Sequence, residues 1–452
     1  MRRWLDEHAA LAMLASRFMP GTRVPLYVCA GMIGMPLRRF TAWAAVAVAI
    51  WTPIVVWLAA SSGELALAAA PIAGWSGWTA RLAIVGTLFI LLKAASRRFS
   101  RGQSFTVRLI RWSRWEFWPM WLFYAPVAVW LLWLIVRYRG IATITASNPG
   151  IPDGGVVGES KFDILAKLPA EWTVASARVT GATPEERSRC VLDVVQHRGW
   201  TLPIILKPDV GQRGVGVKLA RRLADVHAYC ALQSAPFVVQ PYHPGPFEAG
   251  IFYYRFPWEA RGRIFSITDK QFPQVAGDGV STLEMLIRTH PRYRLQAQTF
   301  LDRHRHALAR VLAEGETLQL AIAGNHAQGT LFRDGAHLWT PALETRIDEV
   351  ARAYPGFFVG RFDVRYRDAA AFQAGEDFAI VELNGATAES TDIYDPDRSL
   401  VSAYRTLFRQ WAIVFAIGAA NRAGGAPVTG VRRLIELLHA HATSAPAFAV
   451  SD

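Results

Sequence analysis

The sequence has only three cysteines in 452 residues: Cys29, Cys190 and Cys230. Their number is odd and their spacing fits no metal-ligand pattern. That argues against a disulfide framework or a zinc site and suits a reducing compartment. Acidic residues are scarce in the first 140 positions, where Asp6, Glu7, Glu64 and Glu116 stand against 16 Lys+Arg. The first 30 residues lack a long apolar run, because Arg17 and Arg23 interrupt it, so no cleaved signal peptide is expected. The chain also has no internal repeat and no low-complexity tract.

What is present is unevenly spread. Residues 1–140 hold 12 of the 17 tryptophans and +12 of the chain's +13 net charge. The remaining 312 residues are nearly neutral, with 33 basic and 32 acidic side chains. The basic balance therefore gives no reason to expect nucleic acid. An arginine- and tryptophan-rich apolar third reads instead as an α-helical membrane region with interfacial anchors.

Residues 40–60 form an uncharged run of spanning length, and residues 79–96 a shorter one. Arg38 and Arg39 precede the first, and an arginine-rich stretch follows the second, so both flanks are expected on the cytoplasmic side. A third run, residues 117–136, contains Pro119 and Pro126 and has arginines on both sides. It reads either as a third span or as a re-entrant or interfacial segment that returns to the cytoplasm.

From residue 141 short apolar runs alternate with helical periods, the pattern of an α+β domain. Helices are expected at 184–198, 222–232, 280–290, 295–313 and 398–420. Strands are expected at 203–207, 236–240, 250–256, 262–268, 358–366 and 378–383. The resulting division is a membrane region (1–140), a linker and N-terminal part (141–200), a main domain (201–425) and a C-terminal helix and tail (426–452). Residues 145–161, with four glycines and two prolines, read either as a linker or as part of a substrate site. His304 and His306 read as solvated helix surface.

Two stretches carry chemistry. In "PIILKPDVGQRGVGVKLA" a strand delivers Lys207 to a loop holding Gly211, Gly214 and Gly216, after which the chain returns as a strand. Glycines let backbone N–H groups approach phosphate oxygens, and a lysine supplies countercharge. In "GRFDVRY" alternation puts Arg361, Asp363 and Arg365 on one strand face. In "VELNG" Glu382 and Asn384 share a face in the same way. If the two strands are adjacent, Asp363, Glu382 and Asn384 form an oxygen donor set suited to Mg2+ or Mn2+.

The order of these motifs resembles the ATP-grasp superfamily. "GRFDV" followed by "VELNGATAEST" resembles the end of D-alanine–D-alanine ligases. "GDGVSTLEMLI" and "GETLQLAIAGNHAQGT" resemble segments of cyanophycin synthetase. The resemblance covers roughly residues 145–420. It implies two α+β lobes clasping ATP and a ligase that joins a carboxylate to an amine through an acyl phosphate.

Carried over residue by residue, the resemblance makes Lys161 and Lys207 phosphate lysines and 209–217 a flap over the phosphates. Gln240, Pro241 and Tyr242 become the adenine hinge, and Glu248 the ribose partner. Lys270 and Arg361 are the catalytic cations, and Asp363, Glu382 and Asn384 the metal ligands. The family's Pro-Gly after the asparagine is replaced here by a loop with Glu389 and Asp392, a natural pair for an amine. ATP chemistry favours a cytoplasmic catalytic domain on a multi-pass inner-membrane protein, with a lipid-linked or envelope-related substrate. A phosphotransferase and a silent nucleotide-binding membrane protein are the alternatives.

Overall fold

The computed structural model describes residues 105–443 except 212–214, 323, 327 and 328, and also residues 40–42, 44–46, 48 and 49. Apart from helical positions between 40 and 49, the runs expected to span at 40–60 and 79–96 lie outside these residues, as does Gly214. The chain divides into compact units after Gly102, and the fold described below belongs to the unit that begins at Gln103.

This unit has an α+β fold. A four-stranded antiparallel sheet takes the order β1 (Ala177–Val179), β4 (Phe237–Pro241), β2 (Ile204–Pro208), β3 (Lys218–Ala220). A five-stranded antiparallel sheet follows: β11 (Phe378–Asn384), β10 (Val359–Tyr366), β5 (Phe247–Tyr254), β6 (Arg263–Gln271), β9 (Leu331–Asp334). A small ribbon pairs β7 (Gln274–Ala276) with β8 (Thr317–Gln319).

Alternation decides which face of each strand is dry. In β10, Phe362 and Val364 are fully buried with Ile251 and Tyr253 of β5 and Ile380 of β11, beneath the Pro341–Arg352 helix. Burying a phenylalanine of this kind contributes about 1.5–3 kcal/mol, so one dry face fixes the register of the pair. Arg361, Asp363 and Arg365 are thereby left on the other face. The smaller sheet is covered by the Pro184–His197 and Leu223–Leu232 helices, through Val191, Val226 and Cys230. The first of these helices opens with a capping box: Thr183 accepts from the Glu186 N–H, and Glu186 reaches back to the Thr183 N–H.

Several expectations change. The 295–313 helix is cut short: a 3-10 turn at Tyr293–Gln296 leads into Ala297–Arg303, and the chain then turns. His304 ends that helix half-buried, its Nε2 3.1 Å from the Leu320 carbonyl, so it is not a solvated residue. The Pro341–Arg352 helix and strands β1, β7, β8 and β9 were not expected from the pattern.

The 117–136 run is broken into a turn at Trp115–Phe117, a short helix at Met120–Phe123 and the Ala125–Arg137 helix. Thirteen residues give about 20 Å, against a hydrocarbon core of about 30 Å. Among the described residues no single helix is long and apolar enough to cross a membrane. The pair Ala125–Arg137 and Ile141–Ser147, bent by 85°, passes that test together. The Ala125–Arg137 helix buries Val127 and Leu134 toward the long Leu400–Ala423 helix and leaves Val129, Leu132, Trp133 and Val136 exposed.

Residues 145–155 are built into the fold. The Asn148 side chain accepts from the Phe358 and Val359 N–H groups at 2.9 Å each and donates to the Val359 and Gly154 carbonyls. It is fully buried. A Cβ on Gly155 would lie 2.7 Å from the Gly385 Cα, so the segment and the end of β11 touch backbone to backbone. Asn148→Ala strands several buried backbone groups at about 1–3 kcal/mol each. We expect denaturant titration of the purified protein to show a loss of about 3 kcal/mol. A loss below about 1 kcal/mol would show that the pin is dispensable.

Candidate active site

The site starts from the pairing of β10 with β11. Asp363 lies opposite Glu382 and Arg361 opposite Asn384. The register then slips: Val364 pairs with Ile380, which leaves Val381 as the extra residue of a bulge. The Val381 carbonyl accepts from Lys207 Nζ at 2.8 Å, so the bulge ties β11 to the smaller sheet. On the other side of β10, Gly250 of β5 faces Asp363. A Cβ there would sit 3.2 Å from both Asp363 Oδ1 and Arg361 Cδ, so glycine leaves room for the pair.

The charged groups form one chain of contacts. Arg361 grips Asp363 with Nε at 2.9 Å and Nη2 at 3.2 Å. Lys270 Nζ sits 3.0 Å from Asp363 and 2.9 Å from Glu248. Arg365 Nε reaches Glu248 at 3.1 Å. Lys161 Nζ lies 3.3 Å from Glu382 and donates to the Gly211 carbonyl. Asp209 holds the start of the Lys161–Leu165 helix by accepting from Ser160 Oγ and the Phe162 N–H.

Burial and charge compete at each group. Burial alone would raise the pKa of Asp363, but Arg361 and Lys270 outweigh it and hold the carboxyl at about 2. Burial likewise opposes ionisation of Glu382, and Lys161 and Lys207 bring its pKa below the usual value. For Lys270 the loss of water is overcome by Asp363 and Glu248, and its pKa rises. Lys207 behaves differently. Burial brings it down to about 8, and Glu382 only partly restores it, with Lys161 repelling.

A cavity of about 670 Å³ opens over these groups, within the usual size range of small-ligand sites. Lys207, Gln240, Pro241, Tyr242, Glu248, Lys270, Arg361, Asp363, Glu382 and Asn384 all line it. Lys161 and Gly211 line a small hollow beside it, together with Glu382 and Asn384. Gly216 lines neither: it is buried, and its carbonyl accepts from the Tyr229 hydroxyl. Gln240 is buried and donates to Ser176 Oγ at 2.8 Å, so its side chain is committed inside the sheet. Pro241 ends that strand, Tyr242 follows it, and both line the cavity.

One expectation is corrected here. Glu389 lines the cavity, but Asp392 does not. Asp392 is buried against Arg398 at 2.6 Å and accepts from Ser390 Oγ, and burial raises its pKa. The sequence also gave no warning of the far wall. Trp115, Trp118, Met120, Phe123 and Tyr124 line the cavity, though their apolar run suggested only a membrane belt. Arg365 shares the strand face of Arg361 and Asp363, yet its pairing with Glu248 becomes visible only once β5 is placed beside β10.

Five cations, Lys161, Lys207, Lys270, Arg361 and Arg365, thus surround three carboxylates, Glu248, Asp363 and Glu382. The guanidinium and ammonium groups of this cluster suit phosphate oxygens. Among the described residues no cluster of three or more His, Cys, Asp or Glu side chains could hold a metal ion. Asp363, Glu382 and Asn384 instead form a set of two carboxylates and an amide.

No family model and no curated protein matches this chain. Solved structures to which it is similar include a bifunctional glutathione synthetase from Pasteurella multocida, at 16% identity and TM-score 0.28, covering 52% of this chain and 34% of that one. A carboxyaminoimidazole ribonucleotide synthase from Aspergillus clavatus, complexed with ATP, shows 10% identity and TM-score 0.29, with 47% of this chain and 40% of that one covered. The D-cycloserine synthetase DcsG shows 13% identity and TM-score 0.31, with 56% and 70% covered. The chain thus spans about a third of the first and two fifths of the second. Likeness at this level carries no argument on its own, so the functional reading rests on the residues.

Lys207 gives a pH test. With its pKa near 8 it is charged below that pH and loses its charge as pH rises through it. Affinity for sulfate, a dianion throughout this range, should therefore weaken from pH 7 to pH 9 by up to about tenfold, read by calorimetry. Lys207→Arg should flatten the profile, because a guanidinium stays charged. An equally steep profile in the arginine variant would assign the titration elsewhere.

Proposed function

We propose that the unit beginning at Gln103 is an ATP-dependent ligase that joins a carboxylate to an amine and releases ADP and phosphate. The observation that carries this reading is the cross-strand set Arg361–Asn384 and Asp363–Glu382 facing one cavity with Lys207 and Lys270. Acids and cations alternate there in direct contact, which suits a ligand bearing both phosphates and a countercation. Nucleophile–base pairs of the Ser–His or Cys–His kind are not needed for such chemistry.

Each residue has a role in this reading. Lys161 and Lys207 hold phosphate oxygens, with the loop around Gly211 as the covering flap. The backbone at Pro241 and Tyr242 reads the purine, and Glu248 binds the ribose. Asp363, Glu382 and Asn384 would hold Mg2+ or Mn2+. Their donor set fits such an ion, since hard cations take carboxylate and amide oxygens. When bound, the ion would neutralise phosphate charge.

The substrate carboxylate attacks the γ-phosphorus of ATP. One P–O bond forms, the bond to ADP breaks, and an acyl phosphate results. Lys207 and Lys270 stabilise the charge that develops on the transferring group. A neutral amine, having shed one proton from its ammonium form, then attacks the acyl carbon. The Arg361 guanidinium stabilises the oxyanion, and phosphate leaves with the C–O bond pair. The sum is carboxylate, ammonium and ATP giving amide, ADP, phosphate and one proton.

We further infer that the tryptophan- and arginine-rich first third attaches this unit to the inner face of a membrane, with one substrate lipid-linked or envelope-related. The exposed Val129, Leu132, Trp133 and Val136 support this. Fusion of an export-dependent reporter after residue 140 should give an inactive reporter. An active one would overturn the cytoplasmic placement.

The ligase reading is tested by ATP turnover. Glu382→Gln combined with Asn384→Ala should lower acid- and amine-dependent ADP release by at least about 100-fold. Unchanged turnover would remove these residues from the site. Recovery of phosphate on an organic product, in place of free phosphate, would make the enzyme a phosphotransferase.

A further inference from the structure

One cation of the cluster has no part in the chemistry described above. Arg365 of β10 lies opposite Glu248 of β5, and Glu248 lies opposite Lys270 of β6. Three adjacent strands thus carry a cation, an acid and a cation in one row. Resting on the nucleotide reading above, we propose that Arg365 is a positioning residue for the nucleoside. It holds the Glu248 carboxylate and the chain that follows β4 in one fixed relation, so that ribose hydroxyls and purine are bound together.

The surroundings of the guanidinium carry the proposal. Each of its nitrogens donates to the protein: Nε to Glu248 Oε2 at 3.1 Å, Nη1 to the His243 carbonyl at 3.3 Å and Nη2 to the Ile322 carbonyl at 3.2 Å. Its centre also lies 5.3 Å from the Tyr242 ring and 5.1 Å from the Phe272 ring, within reach of a cation–π attraction. One buried side chain therefore ties together β5, the residues after β4, the residue after β6 and the chain at Ile322. The strand β4 belongs to the four-stranded sheet, while β5 and β6 belong to the five-stranded one. Arg365 thus bridges the two sheets at the nucleoside end, as Lys207 does through the Val381 carbonyl at the phosphate end.

Glu248 has little freedom within this clasp. Its Oε1 accepts from Lys270 at 2.9 Å. Gly324 presses against the same oxygen, and a Cβ there would collide with it. Tyr242, His243, Glu248, Ile322, Gly324 and Arg365 all line the cavity, so the clasp forms part of its surface. A lysine could supply the charge opposite Glu248. It could not supply three donors fixed in one plane and aimed at three different segments, so the role belongs to the guanidinium.

The test is calorimetric titration of the full-length protein with three probes. They are adenosine, 2′,3′-dideoxyadenosine, which lacks the 2′ and 3′ hydroxyls, and sulfate, which probes the phosphate end alone. The wild type should bind adenosine at least about tenfold more tightly than the dideoxynucleoside, the size of hydrogen bonds to a charged group. Arg365→Leu should abolish that preference while sulfate affinity stays within about threefold. Arg365→Lys, the gentler change, should lower the preference by about threefold, because it keeps the charge and loses the two carbonyl contacts. A lysine protein with the full preference overturns the proposal, whether or not the leucine protein folds. So does a lysine protein whose sulfate affinity falls as far as its adenosine affinity, since Arg365 would then hold the fold and not the nucleoside. Equal binding of the two nucleosides by the wild type removes Glu248 from the ribose and overturns the proposal, with ATP binding left standing. A wild type that binds no adenosine defeats the ligase reading itself.

Discussion

Asp363 and Glu382 lie directly opposite each other on adjacent antiparallel strands, where facing side chains are about 5 Å apart. Two carboxylates that close, Asp363 buried and Glu382 half-buried at the cavity wall, repel each other strongly and would normally share a proton. Both are instead held ionised, because Arg361 and Lys270 contact one and Lys161 and Lys207 act on the other. Those cations come from four separate elements in two sheets and a helix. The acid pair therefore sets where the two sheets meet. Removing one member would leave buried cations without partners, a cost of several kcal/mol in comparable buried pairs.

The bulge at Val381 shows how backbone irregularity serves this arrangement. A regular β11 would bond its Val381 carbonyl into the ladder and give Lys207 no acceptor. With one extra residue, Glu382 still faces Asp363 while the carbonyl before it turns to the lysine. Lys207 is thus seated by a neutral dipole and keeps a lowered pKa, while Lys270 is seated by two carboxylates and keeps a raised one. Two lysines in one cavity so differ in protonation behaviour because one borders acids and the other borders a peptide group.

The strand faces are legible because alternation needs only local sequence: it puts Arg361 with Asp363 and Glu382 with Asn384, and the pairing of β10 with β11 then brings the two faces together. The resemblance added Lys161 and Lys270, which no period could have linked. Asp392 was misassigned because its partner Arg398 lies six residues on, and local spacing does not say which acid turns inward. His304 was misread because a helical period ran past the point where the chain turns at Arg303. The short strands β1, β7, β8 and β9 have too few residues for a period to register. Asn148 sat in a glycine- and proline-rich stretch that looks like a tether, and its role depends on β10, more than 200 residues away.

The aromatic segment 115–124 is the hardest case, because one composition satisfies two demands. Tryptophans beside arginines suit a membrane interface, and they also suit the packed aromatic wall of a cavity. The structure divides these tasks between neighbouring residues. Trp115, Trp118 and Phe123 face the cavity, while Trp121, with Leu132 and Trp133 of the next helix, faces outward. A helical hairpin with only the outward task would have no use for a buried acid such as Glu116. Its two bonds from Arg292 tie the inner face to the body of the fold beside the cavity. The segment is therefore a shared wall.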